Sequence, residues 1–255
     1  MILLPIYTVA ADKIIDKHGL AMKLQNPVAN LTSVPFQSNW EFGSGSTNAI
    51  NYRLNVQPII PISLSNDWSL ITRTIIPINH NESPVEGGGN ISGMGDIVQS
   101  FFFSPKKSIG GLIMGGGPVF LYPSATDNTL GQKKWGAGPT IVLLHQKNGW
   151  TYGVLANHIK SFASTSNTGN VSATLVQPRI SYTTETYTTF GISPVLNYNW
   201  QQNQWNLPVN LTVSQLVKFC NQPIQFQFGG RYFPVKPNYA AEWGLRFGVT
   251  FTFPK

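Results

Sequence analysis

Five arginines carry the clearest chemical signal in this 255-residue chain: Arg53, Arg73, Arg179, Arg231 and Arg246. Each falls on the polar phase of a stretch in which apolar and polar residues alternate. Glu41, Gln57, Gln177 and Glu242 occupy the same phase in neighbouring stretches. Guanidinium groups gathered on one face favour anions, as rings of Arg and Lys do in anion pores. Pairing with Glu41, Asp96 and Glu242 would instead make them struts of a filled interior, and both readings stay open. Asp96, between Gly95 and Ile97, suits a turn cap or a solute contact.

Other chemistry is poorly supported. His158 and Ser161 form the one candidate base–nucleophile pair, but residues three apart on a strand point to opposite faces. A hydrolase also needs a third group to orient the base, so no catalytic residue is assigned. The glycine runs at Gly87–Gly89 and Gly115–Gly117 lack the lysine and following helix of a phosphate loop. Neither a metal nor another cofactor is expected. The net charge of +7 and pI near 9.5 come from scattered lysines without interleaved aromatics, which argues against nucleic acid.

The alternation that positions the arginines also defines the fold. Near the C-terminus Trp205, Leu207, Val209, Leu211 and Val213 alternate with Asn206, Asn210 and Thr212. Trp243, Leu245, Phe247, Val249, Phe251 and Phe253 later alternate with Arg246, Thr250 and Thr252. Period two means strands with one apolar and one polar face. Runs of about 9–11 residues suit strands that cross a bilayer. Charged residues make up 11% of the chain, against about a quarter in soluble domains. No stretch of about 18 apolar residues supplies a membrane-spanning helix.

These features predict an all-β chain: a transmembrane antiparallel barrel of about twelve strands, as in the outer membrane. Tight turns at Asn66, Lys106, Asn148, Glu185 and Asn221 fall on the side of both termini. Longer loops at 79–93, 123–134 and 163–170 fall on the other. Prolines at 58, 77, 118, 139, 178, 194 and 208 interrupt the strands, so bulges are expected there. Residues 1–11 read as the back half of a signal peptide without its basic region. Residues 12–32 read as a periplasmic or lumen-plugging segment, with a disordered leader as the alternative, and residues 33–255 as the barrel. Cys220 is alone, at a turn.

Six ordered motifs add a resemblance. They are Gln25-Asn26-Pro27-Val28-Ala29 with Ser33-Val34-Pro35-Phe36-Gln37; Gly93-Met94-Gly95-Asp96-Ile97 with Phe101-Phe102-Phe103-Ser104-Pro105; and Gly116-Gly117-Pro118-Val119-Phe120 with Pro123-Ser124-Ala125-Thr126-Asp127. Trp135-Gly136-Ala137-Gly138-Pro139-Thr140, Trp150-Thr151-Tyr152-Gly153 and Leu175-Val176-Gln177-Pro178 complete them. From Gln25 onward the chain resembles the bacterial outer-membrane "MetA-pathway of phenol degradation" family, whose members are often labelled transporter or neuromedin U. The resemblance implies a transmembrane barrel that passes small-molecule solutes; a monomer in the outer-membrane bilayer, inserted by the barrel-assembly machinery, is expected. It implies no catalytic residues. The final Pro254-Lys255 departs from the usual terminal aromatic. The expected solutes are small and polar, anionic or aromatic; the alternative is a closed barrel whose loops bind a partner.

Overall fold

The computed structural model describes residues 16–164, 169–219 and 222–253. The expectations for residues 1–11, for Cys220 and Asn221, and for the middle of the 163–170 loop lie outside them.

Twelve strands form the wall. They are β1 (Thr32–Ser44), β2 (Ala49–Val56 continuing as Ile59–Ser63), β3 (Trp68–Asn81), β4 (Ile91–Met94 continuing as Ile97–Pro105), β5 (Leu112–Tyr122) and β6 (Lys134–Lys147). The second half comprises β7 (Trp150–Ser164), β8 (Ser172–Thr183), β9 (Thr188–Pro194 continuing as Leu196–Asn199), β10 (Gln204–Phe219), β11 (Gln222–Val235) and β12 (Trp243–Phe253). Every strand pairs antiparallel with its neighbour in sequence. β12 returns to β1 in unbroken register from Thr32↔Phe253 to Phe42↔Trp243. The sheet therefore has no edge, which is what a bilayer demands of strands.

The wall sorts its side chains by phase. Phe226, Phe228 and Tyr232 of β11 and Trp243, Phe247 and Phe253 of β12 are exposed, while Gln225 and Thr252 on the opposite phase are buried. Aromatic contacts run across the outer surface, with Phe42 stacked on Trp243 and Tyr198 against Trp205. Lipid-facing and lumen-facing residues alternate in this way in outer-membrane barrels. At one end β6 and β7 meet in the two-residue turn Asn148-Gly149, both with positive φ (50° and 81°), the backbone that a tight hairpin needs. Residues 82–90, 123–133 and 236–242 connect strands at the other end.

Proline explains the three interrupted strands. Pro lacks the N–H that a ladder needs. The gap in β2 holds Pro58, the gap in β4 lies beside Pro77 of β3, and the gap in β9 follows Pro194. Carbonyls at the gaps stay in use: Thr74 N donates to Pro58 O (3.1 Å), Gly95 N to Pro77 O (2.8 Å) and Val195 N to Pro208 O (2.8 Å). Pro118 and Pro139 instead face each other in register across β5 and β6, with neither strand broken.

Ahead of β1 the chain runs against the inner wall. Helix α1 (Lys17–Leu24) starts at Asp16, whose carboxylate accepts from Gly19 N at 2.9 Å. Leu20 and Ala21 pack with Ala29, Leu31 and Leu216 of β10. Val28 sits among Ile71, Phe102 and Val142 of β3, β4 and β6. Gln146 Nε2 donates to Met22 O at 2.8 Å.

Candidate functional site

Arg53, Arg73, Arg179 and Arg246 project from β2, β3, β8 and β12 into one internal cavity of about 410 Å³, which Lys23 in the last turn of α1 also lines. No Asp or Glu is among its lining residues. Inward polar phases bring these groups together, because the outer phase of each strand is taken up by lipid-facing side chains.

Neutral oxygens hold most of the guanidinium groups. Arg246 Nε donates to Asn39 Oδ1 at 2.8 Å, and Arg231 Nη1 reaches the same oxygen at 3.3 Å. Arg53 Nε donates to Asn79 Oδ1 at 3.0 Å, Arg73 Nη2 to Gln57 Oε1 at 2.7 Å, and Arg179 Nη1 to Gln25 O at 3.4 Å. Asn39, 1% exposed, turns its Nδ2 to the carbonyls of Gln37 and Arg53, which fixes Oδ1 toward the two guanidiniums. Three arginines stand in register beside a glycine: Arg179 by Gly153, Arg231 by Gly244 and Arg246 by Gly229. A Cβ at any of these glycines would strike a backbone carbonyl of the adjoining strand.

The expected arginine–carboxylate pairing is only partly present. Arg231 forms an ion pair with Glu41. Glu242 precedes β12 instead of lying in the wall, is largely exposed, and meets Lys236 at 3.4 Å. Its distance from the cavity follows from the start of β12 at Trp243. Asp96 meets no arginine: its carboxylate accepts from the backbone N–H groups of Ala125 (3.1 Å), Gln132 (2.6 Å) and Lys133 (3.0 Å), tying the 123–133 loop to the gap in β4. Gln177 lines the cavity and donates to Ser193 Oγ at 2.9 Å.

His158 and Ser161 have separate partners. His158 Nδ1 lies 2.8 Å from Thr174 Oγ1, and Ser161 Oγ accepts from Val171 N at 3.0 Å. Among the described residues no three His, Cys, Asp or Glu side chains converge as metal ligands. Sequence reasoning passed over Asn39, Asn210 and Lys23. Asn39 shares its phase with Gln37 and Glu41, and that was the available signal.

Known structures repeat this architecture. An outer membrane channel from Pseudomonas putida F1 superposes with a TM-score of 0.66 over 88% of this chain and 94% of its own, at 12% identity. The chain folds as an outer-membrane β-barrel. The NanC porin matches this barrel with a TM-score of 0.54 at 11% identity, covering 87% of this chain and all of its own. Outer membrane phospholipase A from Escherichia coli reaches 0.50 at 11% identity, over 92% of this chain and 98% of its own. At such identities the barrel is what is shared. No protein-family profile and no curated protein sequence matches the chain.

Proposed function

We propose that this barrel is a monomeric channel of the bacterial outer membrane that admits small polar solutes and favours anions. The supporting observation is the cavity itself: four arginines and a lysine line it, and no carboxylate does. Arg73, Arg179 and Arg246 are partly withdrawn from water, which is costly for a cation without a counter-charge, so an entering anion gains what the protein leaves unmet. Neutral acceptors such as Asn39 and Gln57 orient the guanidinium groups without cancelling their charge. The family resemblance of the motifs agrees with such a passage role and with insertion by the barrel-assembly machinery.

Residues 16–31 serve in this reading as a lumen constriction. The burial of Ala21 and Val28 also favours a second reading, in which the barrel is closed and its loops carry the function. Refolded protein in a planar bilayer under a KCl gradient separates the two. A channel gives discrete steps and a reversal potential on the anion side. Changing Arg53, Arg179 and Arg246 to Gln moves that potential toward zero. A folded barrel without conductance rules out the channel.

A further inference from the structure

Anion preference alone does not account for what lines the cavity. Gln37, Asn55, Gln57, Gln177, Gln225 and Gln227 bring carboxamides to it, and no Phe, Tyr or Trp side chain is among its lining residues. An aromatic acid would find guanidinium groups for its carboxylate but no ring to stack on. A cavity of about 410 Å³ is in the range, roughly 300–1,000 Å³, that holds a small molecule.

Four buried polar atoms of the lining have no hydrogen-bond partner within the protein: Arg73 Nε, Ser181 Oγ, Gln225 Nε2 and Asn210 Oδ1. Asn210 is 1% exposed, and its Nδ2 donates to Ser193 O at 2.8 Å, so its free oxygen is fixed in place. Two of the four are donors, one is an acceptor, and the Ser181 hydroxyl can be either. A bare anion satisfies donors and leaves Asn210 Oδ1 unmet. A hydroxyl both gives and accepts a hydrogen bond, so a ligand with several hydroxyls can answer donors and acceptor where each stands. Ile59, Ile75 and Leu155 give the same cavity an apolar side, against which the C–H face of a pyranose would lie.

Building on the channel reading, we infer that the cavity binds a polyhydroxylated anion of sugar size, a sugar acid or a sugar phosphate, in preference to an aromatic acid. The anion meets the guanidinium groups of the lining, and the hydroxyls meet its unpartnered carboxamides, Asn210 among them. Leaving a buried polar group unpaired is expensive. A ligand that lacks the hydroxyls therefore loses more than the bonds themselves.

Isothermal titration of the refolded, detergent-held barrel tests this with glucuronate, glucose phosphate, glucose and benzoate, and reversal potentials in KCl are recorded on the same preparation. At least one sugar anion binds about tenfold or more tightly than either benzoate or glucose. The stronger of the two identifies the anion as carboxylate or phosphate. Asn210→Ala, checked for folding by its heat-modifiable mobility in gels, weakens the sugar anion and narrows its advantage over benzoate. Benzoate binding as well as the sugar anions overturns the inference. So does anion-selective conduction with no sugar anion bound, which leaves the channel reading standing. Tight sugar-anion binding without conductance keeps the site and rejects the channel.

Discussion

Glu41 is the carboxylate that meets an arginine of the inner wall, and its contact with Arg231 sets the charge balance above the cavity. Arg231 and Arg246 converge on the same Asn39 oxygen, so two like charges lie side by side with one carboxylate beside them. Glu41→Gln keeps the hydrogen-bonding shape and removes the negative charge. The variant is expected to show a larger reversal potential toward the anion side than the unaltered barrel, measured under the same KCl gradient. An unchanged potential would place Glu41 and Arg231 outside the ion path. The sequence showed the arginines and Glu41 on one phase. It could not show which cations would find Glu41, because that depends on β11, β12 and β1 lying side by side across the closure of the barrel.

Among the elements, the alternating strands were legible and their interruptions were anticipated only in kind. Period two marked β12 at its observed bounds, Trp243 to Phe253, and Asn148 marked the turn between β6 and β7. Which prolines would break a strand was not legible. Pro58 lies in a gap while Pro118 sits in an intact strand opposite Pro139, and the difference depends on the neighbouring strand's register. The inward apolar residues were harder still. Ile71, Phe102, Val142 and Leu216 look like lapses in the alternation until the N-terminal segment is seen against them. They form the seat of that segment. Val28→Asp would set a carboxylate among Ile71, Phe102 and Val142, where an unpaired charge is not tolerated. The expected result is a segment displaced from the wall and a higher single-channel conductance, with the barrel still heat-modifiable in gels. Unchanged conductance would show that residues 16–31 do not restrict flow.

For the molecule as a whole, the bilayer made the fold readable. A lipid-facing surface admits almost no charge, so the polar residues of each strand collect on the other phase, and the arginines with them. Phe228, exposed halfway along β11, and Gln227 beside it on the inner phase test this directly. Phe228→Arg is expected to destabilise the barrel by about 2–4 kcal/mol, and Gln227→Arg by much less. Denaturant unfolding in lipid vesicles provides the comparison, and equal losses would contradict the assignment of the two faces.

Closure of the wall also has a temporal side. Eleven of the twelve seams join strands adjacent in the chain, and one, between β1 and β12, joins its two ends. Hairpins can therefore accumulate one by one as a curved, open sheet, leaving the most distant pairing, Thr32 with Phe253, to finish the cylinder. Residues 16–31 lead directly into β1, on the rim of that last gap. The segment that ends up inside is thus attached beside the opening through which it can be taken in, and its seat on β3, β4 and β6 lies on strands that are already paired by then. Assembly and occupancy of the lumen become a single order of events.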